Sequence, residues 1–333
     1  MLKFFRKILV YSLVILVCFE AALWILGYRP YSTIDYKVFT NPPNAYQGDS
    51  ALGLRLNPGE YIITLNDHIE FTAHHLDNGQ RNVGPHAQTD ELRPNIHFYG
   101  CSYTYGYGVN DNESFVSLTQ EHFNSNAVAN HAVIGYGTVQ SLLQLRDENI
   151  SPNDLVLLVL SSQHLIRNTL APEYRSSLKI GFENSSEKLE KNMRGAHFPF
   201  MASCDKSIEF LAWEEVYENW PLRELSSTIN FLQTTADKIN GNEENQILVT
   251  ECLLDEMFKI CKIRNASFAV ICLDNDEKTS KIAQNLPHIP WIDINFDFTS
   301  NEYTNTPFDQ HPNEEGHELI AETIIPFIDK LLK

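Results

Sequence analysis

From residue 95 onward, short apolar runs alternate with amphipathic stretches, and this alternation constrains the fold more than any other feature of the chain. The runs lie at 96–99, 128–134, 155–160, 268–273 and 291–294. Helical stretches are predicted near 113–123, 138–148, 244–263, 276–285 and 313–332. In the third of these, Ile247, Leu248, Cys252, Leu254, Met257, Phe258 and Cys261 recur at helical spacing. Strands separated by helices pair in parallel, because the helix carries the chain back across the sheet. The expected fold is a three-layer α/β/α domain around a mainly parallel, five-stranded, flavodoxin-like sheet. Region 169–225 interrupts the pattern. It is long, aromatic and irregular, and insertions of that kind serve as lids or partner surfaces. Residues 29–50 read as an irregular linker with Pro30, Pro42 and Pro43. Residues 52–82 read as a small β-meander, its turns at Asn66-Asp67 and Asp77-Asn78-Gly79.

Ahead of these lies an almost unbroken apolar stretch, 8–27. At 1.5 Å per helical residue, twenty residues roughly match a hydrocarbon core of about 30 Å. An uncleaved anchor, a cleaved signal peptide and a buried core helix all remain open. Length favours the anchor, and Phe19-Glu20-Ala21-Ala22 is a poor cleavage site. Lys3, Arg6 and Lys7 precede the span and place the N-terminus in the cytoplasm. The remainder is then extracytoplasmic, and periplasmic in a Gram-negative bacterium. Trp24 and Tyr28 suit an interfacial belt. Glu20 within the span either contacts a membrane-protein partner or sits tolerated near the outer interface. The expected divisions are a stub and anchor at 1–28, a linker and β-rich pre-domain at 29–94, and the α/β domain at 95–333.

The chain carries a formal charge of −18 with 20% charged and 43% hydrophobic residues. That is globular composition, and its acidity argues against a nucleic-acid partner. No CxxC pair occurs among the six cysteines. Cys252 and Cys261 are nine residues apart on one expected helix, so they face opposite ways and do not bridge. A disulfide through Cys204 stays open.

Two segments carry chemistry. In Ile96-His97-Phe98-Tyr99-Gly100-Cys101-Ser102, a strand ends at Gly100 and a serine follows. Ligands of an open parallel sheet sit at the carboxyl ends of its strands. A turn or capping serine would read the same way. In Asp309-Gln310-His311-Pro312-Asn313, a histidine stands just before a helix capped by Asn313, with Asp309 in reach of its Nδ1. A solvated turn is the plain alternative. No H-E-x-x-H spacing occurs, and no metal or cofactor is expected. His311, His317 and Glu314 are the nearest thing to a ligand set.

Together these segments resemble the SGNH/GDSL hydrolase superfamily over about 95–330. Gly100-Cys101-Ser102 is similar to the family's Gly-Asp-Ser, with cysteine for aspartate. The resemblance implies that Ser102 is the nucleophile, His311 its base and Asp309 the base's partner. The gap of two residues between Asp309 and His311 departs from the usual three. Asn130-His131-Ala132-Val133-Ile134-Gly135-Tyr136-Gly137 resembles the oxyanion block, which implies a role for the Gly135 amide, with Gly137 as the alternative. Gln163 stands where the family has asparagine, and it would complete an oxyanion hole with Ser102 and Gly135. The expected function is ester hydrolysis or acyl transfer on an extracytoplasmic substrate, such as an acylated glycan or lipid. The alternative is a binding or assembly protein that has kept the fold and lost catalysis.

Overall fold

The computed structural model describes residues 2–32, 37–85, 93–183 and 189–333. Its central sheet has five parallel strands, β1 (Ile96–Tyr99), β2 (Val128–Asn130), β3 (Leu155–Leu160), β4 (Ser267–Cys272) and β5 (Trp291–Asp293). Their order is β5-β4-β3-β1-β2. This is the doubly wound flavodoxin-like order, with its switch point between β1 and β3.

All six side chains of β3 are buried, as suits a strand covered on both faces. Leu155, Leu157 and Val159 pack with helices Phe115–His122 and Glu314–Leu331. Val156, Leu158 and Leu160 pack with helices Thr138–Asp147, Glu243–Ile263 and Glu277–Asn285. Period-two alternation thus sends one strand's side chains into two cores. Each such burial contributes about 1.5–3 kcal/mol. The expected three layers are present. The run at 128–134 is a strand only to Asn130, after which the chain turns into a loop.

Of the meander expected over 52–82, Gly59–Leu65 and Ile69–His75 form the antiparallel pair, while Gly53–Leu56 pairs elsewhere, and 29–50 is not merely a linker. It holds strands Val38–Asn41 and Tyr46–Asp49. The first pairs with Gly59–Leu65, the second with Gly53–Leu56. Their signal is weak in the sequence because it depends on partners further along the chain. Arg81 makes isolated bridges to both His75 and Asn130, which joins the meander to β2 at the edge of the central sheet.

The 169–225 region is more regular than expected. It contains helix Pro172–Glu183 and an antiparallel pair, His197–Met201 with Ile208–Ala212. Phe198, Trp213 and Val216 from it share a core with Tyr46, Leu54 and Tyr136. A disulfide joins Cys204 to Cys252 across 48 residues, while Cys261 is free and buried. Closing a loop of that length contributes about 4 kcal/mol in the chain-entropy account.

Helix Leu2–Ile25 is long and apolar enough over Phe4–Ile25 to cross a membrane, and its surface is almost wholly exposed. Its C-terminal end docks on helix Ser227–Asn240, an element not anticipated from the sequence. Glu20 is used within the chain, contrary to a partner-facing role. It accepts hydrogen bonds from Ser226 Oγ at 2.9 Å and from the N–H groups of Ser227 and Thr228 at 2.6 and 2.9 Å. The carboxylate thereby satisfies orphan donors at a helix N-terminus, where negative charge is favoured.

Burial holds four core histidines neutral, and His164 lies well below its ordinary value. Burial lowers His75 to about 4, and His131 and His317 to about 3. Unfolded histidines bind protons below about pH 6.5. Between pH 6.5 and 4 the unfolded chain therefore binds more protons, so stability falls as pH falls. Each histidine is expected to contribute a slope of about 1.4 kcal/mol per pH unit there. Urea unfolding at pH 7, 6 and 5 measures this. His317→Gln should remove about one proton from the slope, and an unchanged slope would refute the assignment.

Candidate active site

β1 delivers the nucleophile candidate. The strand runs out at Tyr99, and Ser102 opens a single-turn helix, Ser102–Tyr105, with Cys101 extended before it. A Cβ at Gly100 would collide with the Thr104 side chain and approach the Val159 carbonyl to 3.1 Å, so only glycine fits. Gly106 closes the turn in the left-handed conformation, φ 86°. As the first helical residue, Ser102 has an N–H with no intrahelical acceptor.

Asp309 and His311 reach Ser102 from 207 and 209 residues away. Ser102 Oγ lies 2.8 Å from His311 Nε2. Asp309 Oδ1 accepts both the backbone N–H of His311, at 2.7 Å, and its Nδ1. This double contact is why a spacing of two suffices. The carboxylate fixes peptide and ring together, which sets the imidazole so that Nε2 is free to accept the serine proton. Tyr103 and Tyr107 hold the ring between centroids 5.1 and 5.0 Å away. Asp309 is buried and the His311 side chain only 20% exposed.

The β-meander braces this loop. Asn66 Nδ2 donates to the Phe308 carbonyl at 2.8 Å, and the His68 ring stacks on Phe308 at 3.9 Å. Behind Ser102, the wholly buried Arg81 side chain donates to the carbonyls of Tyr105 and Val109, each at 2.7 Å, and to Gly106. Its Nε donates to Asp111 at 2.8 Å.

Loops after β2 and β3 flank Ser102 at the switch point. In the first, Gly135 has φ 76°, its carbonyl accepts from Tyr174 Oη at 2.9 Å, and its N–H has no acceptor among the described residues. Gly137 instead caps helix Thr138–Asp147, its N–H bonded to Gln140 Oε1. In the second, Gln163 is exposed at the start of helix Gln163–Asn168 and makes no side-chain hydrogen bond among the described residues. The neighbouring polar groups are structural. His164 meets Thr138 Oγ1 at 3.2 Å, and Asn168 Oδ1 accepts the Thr138 N–H at 2.7 Å.

Arg167 escaped the sequence reading. Its guanidinium donates to the Tyr136 carbonyl at 3.0 Å and lies 5.7 Å from the Tyr174 ring centre. Its bond to Tyr136 ties the loop after β3 to the loop after β2. Its position, a turn beyond the motif glutamine, gives no local signal of this.

A metal set does not assemble. His311 faces Ser102, whereas buried His317 accepts the Phe115 N–H at 3.2 Å. Among the described residues, no three His, Cys, Asp or Glu side chains are grouped to hold a metal ion.

No known protein family's profile matches the sequence, and no curated protein matches it. Solved structures similar in chain path include SGNH/GDSL lipolytic hydrolases. A member of the lipolytic G-D-S-L family from Veillonella parvula is 10% identical, with a TM-score of 0.41 over 71% of this chain and 98% of its own. TesA is 11% identical, with a TM-score of 0.39 over 71% and 99%. A salicylyl-acyltransferase from a tetracycline biosynthetic pathway is 12% identical, with a TM-score of 0.36 over 84% and 60%.

Proposed function

We propose that the chain is a serine esterase or acyl-transfer enzyme, anchored by its N-terminal helix with the α/β domain outside the cytoplasm. The observation that carries this reading is the hydrogen-bonded chain from Ser102 through His311 to Asp309. A serine hydroxyl is a weak nucleophile, and His311 takes its proton during attack on an ester carbonyl. The imidazolium that forms is stabilised by Asp309 and returns the proton to the leaving alcohol. The free N–H groups of Ser102 and Gly135 serve the oxyanion. Water or an alcohol then accepts the acyl group, giving hydrolysis or transfer.

The Cys204–Cys252 disulfide supports an oxidising compartment. The use of Glu20 in docking supports an uncleaved helix. A mostly apolar cavity of about 100 Å³ adjoins Gly135, lined by Leu52, Leu54, Ile134, Tyr174, Leu178 and Phe198. Its size fits a short acyl chain, and the outer location fits O-acyl groups on cell-surface glycans.

Exposed Gln163 favours a second reading, a slow or non-catalytic binder. Missing one oxyanion donor costs on the order of a hundred- to a thousandfold in rate. The test is hydrolysis of p-nitrophenyl acetate, butyrate and decanoate by the full chain, with fluorophosphonate labelling. Activity on the two short esters, with labelling at Ser102, is expected. Leu178→Ala should shift preference toward decanoate. A folded chain that neither turns over nor labels would establish the binding reading.

A further inference from the structure

The anchoring helix does more than trail from the domain. Its docking site begins at Glu20, five residues before the helix ends at Ile25. Five helical residues span about 8 Å. The segment that binds Glu20 therefore sits about that far below the outer end of the apolar helix. At that end of the helix, Ile25 and Leu26 are 85% and 72% exposed. Leu23 is buried in the contact, and the Phe231 ring packs edge-on against Phe19 at 6.5 Å and Tyr28 at 5.1 Å. Arg29 covers Trp24 at 4.5 Å, and Arg223 covers Tyr31 at 4.3 Å. Tyr31 N–H bonds the Arg223 carbonyl, which fastens the turn 220–226 to the helix exit.

That turn presents apolar side chains outward. Trp220, Leu222 and Leu225 are 45%, 65% and 78% exposed. Leu222 adopts φ 68°, a left-handed conformation costly for a bulky residue. Its polar neighbour Arg223 is turned inward, bonded to Tyr217 Oη and to Asn219 and Asn230. Within this turn the arginine is inward while two leucines and Glu224 point out, so most of its exposed side chains are apolar.

We infer that the 220–226 turn is a membrane-contacting surface, with Trp220, Leu222 and Leu225 immersed in the outer interfacial layer of the bilayer that the N-terminal helix spans. The inference rests on the anchored reading above. Its physical ground is continuity: the turn that carries these side chains is fastened to the helix exit at Tyr31 and to the helix itself at Glu20. Burying two leucines and part of an indole stabilises the seat, and tryptophan is at home in that layer. The Glu20 carboxylate is tolerated there because three donors from 226–228 satisfy it. The domain is thereby held flat on the membrane at one face rather than swinging on a flexible tether.

Full-length protein in phosphatidylcholine–phosphatidylglycerol nanodiscs tests this, with and without lipids brominated near the acyl carboxyl end. The Trp220 emission, taken as the difference between Trp24→Phe and Trp24→Phe/Trp220→Phe, should fall at least about twofold with bromolipid. It should resist aqueous iodide. Trp24 emission, from wild type minus Trp24→Phe, reports helix insertion in the same particles. Quenched Trp24 with Trp220 open to iodide overturns the surface while sparing the anchor. Unquenched Trp24 overturns the anchor and the surface with it. Trp220 shielded from both quenchers in particles holding two chains overturns the lipid contact in favour of a second copy.

Discussion

Ser102→Ala and His311→Ala are each expected to lower ester turnover by about 10⁴-fold or more, and the double variant should fall no further than the worse single one. The reason is that nucleophile and base act as one unit. Without Ser102 Oγ, 2.8 Å from His311 Nε2, the imidazole has no alcohol to deprotonate. Without His311, the hydroxyl keeps its proton. Asp309→Asn belongs to the same unit and should cost about 10⁴-fold. Its amide can donate where the carboxylate only accepts, so the Nδ1 proton loses its partner and the tautomer is no longer set. Melting temperatures should stay close to wild type for Ser102→Ala, because its hydroxyl contributes one partly exposed hydrogen bond. Additive losses in the double variant would mean that the two residues act separately. Retained activity in Ser102→Ala would place the nucleophile elsewhere.

The parts of the site legible in the sequence are those whose placement is local. Gly100 and the end of a buried strand fix where Ser102 turns out. Asn313 fixes where the last helix begins, and so where His311 stands before it. Strand–helix alternation fixes the layers, since it follows from periodicity alone. What escaped depends on distant partners. Val38–Asn41 becomes a strand only by pairing with Gly59–Leu65. Glu20 looked orphaned in an apolar span because its donors lie more than two hundred residues on. Ser226 was the available clue, a capping serine ahead of helix Ser227–Asn240 that accepts the Ile229 N–H. Gln163 was assigned by position in a motif, yet side-chain direction follows from the helix it opens, and that helix leaves it exposed. Arg167 reads as an ordinary helical cation until the loops on either side of β1 are brought together.

Arg81 is the most consequential of these, and Arg81→Met is expected to destabilise the chain by about 3–5 kcal/mol. The side chain is fully enclosed, so its cost cannot be relieved by water. Removing it leaves Asp111 without its buried cation, strands the carbonyls of Tyr105 and Val109, and leaves the Gly106 carbonyl only the Val109 N–H at 3.4 Å. Each buried acceptor left unmade costs about 1–3 kcal/mol. Methionine fills much of the space, so lost bonds rather than a cavity account for the change. With an unfolding entropy of about 2.1 cal/mol/K per residue, a chain of this length should melt roughly 4–7 °C lower. Arg81→Lys should recover little, because one ammonium cannot reproduce a planar fork aimed at several oxygens. A catalytic effect should accompany the thermal one. The freed carbonyls of Tyr105 and Gly106 terminate the turn that Ser102 begins, so the hydroxyl loses its fixed approach to His311. Turnover measured well below the melting temperature should fall more than tenfold while KM changes little, since a misplacement of about 1 Å can cost a hundredfold. Unchanged melting in Arg81→Met would mean that the turn holds itself. Lower melting with unchanged turnover would mean that Arg81 supports the fold and leaves Ser102 in place.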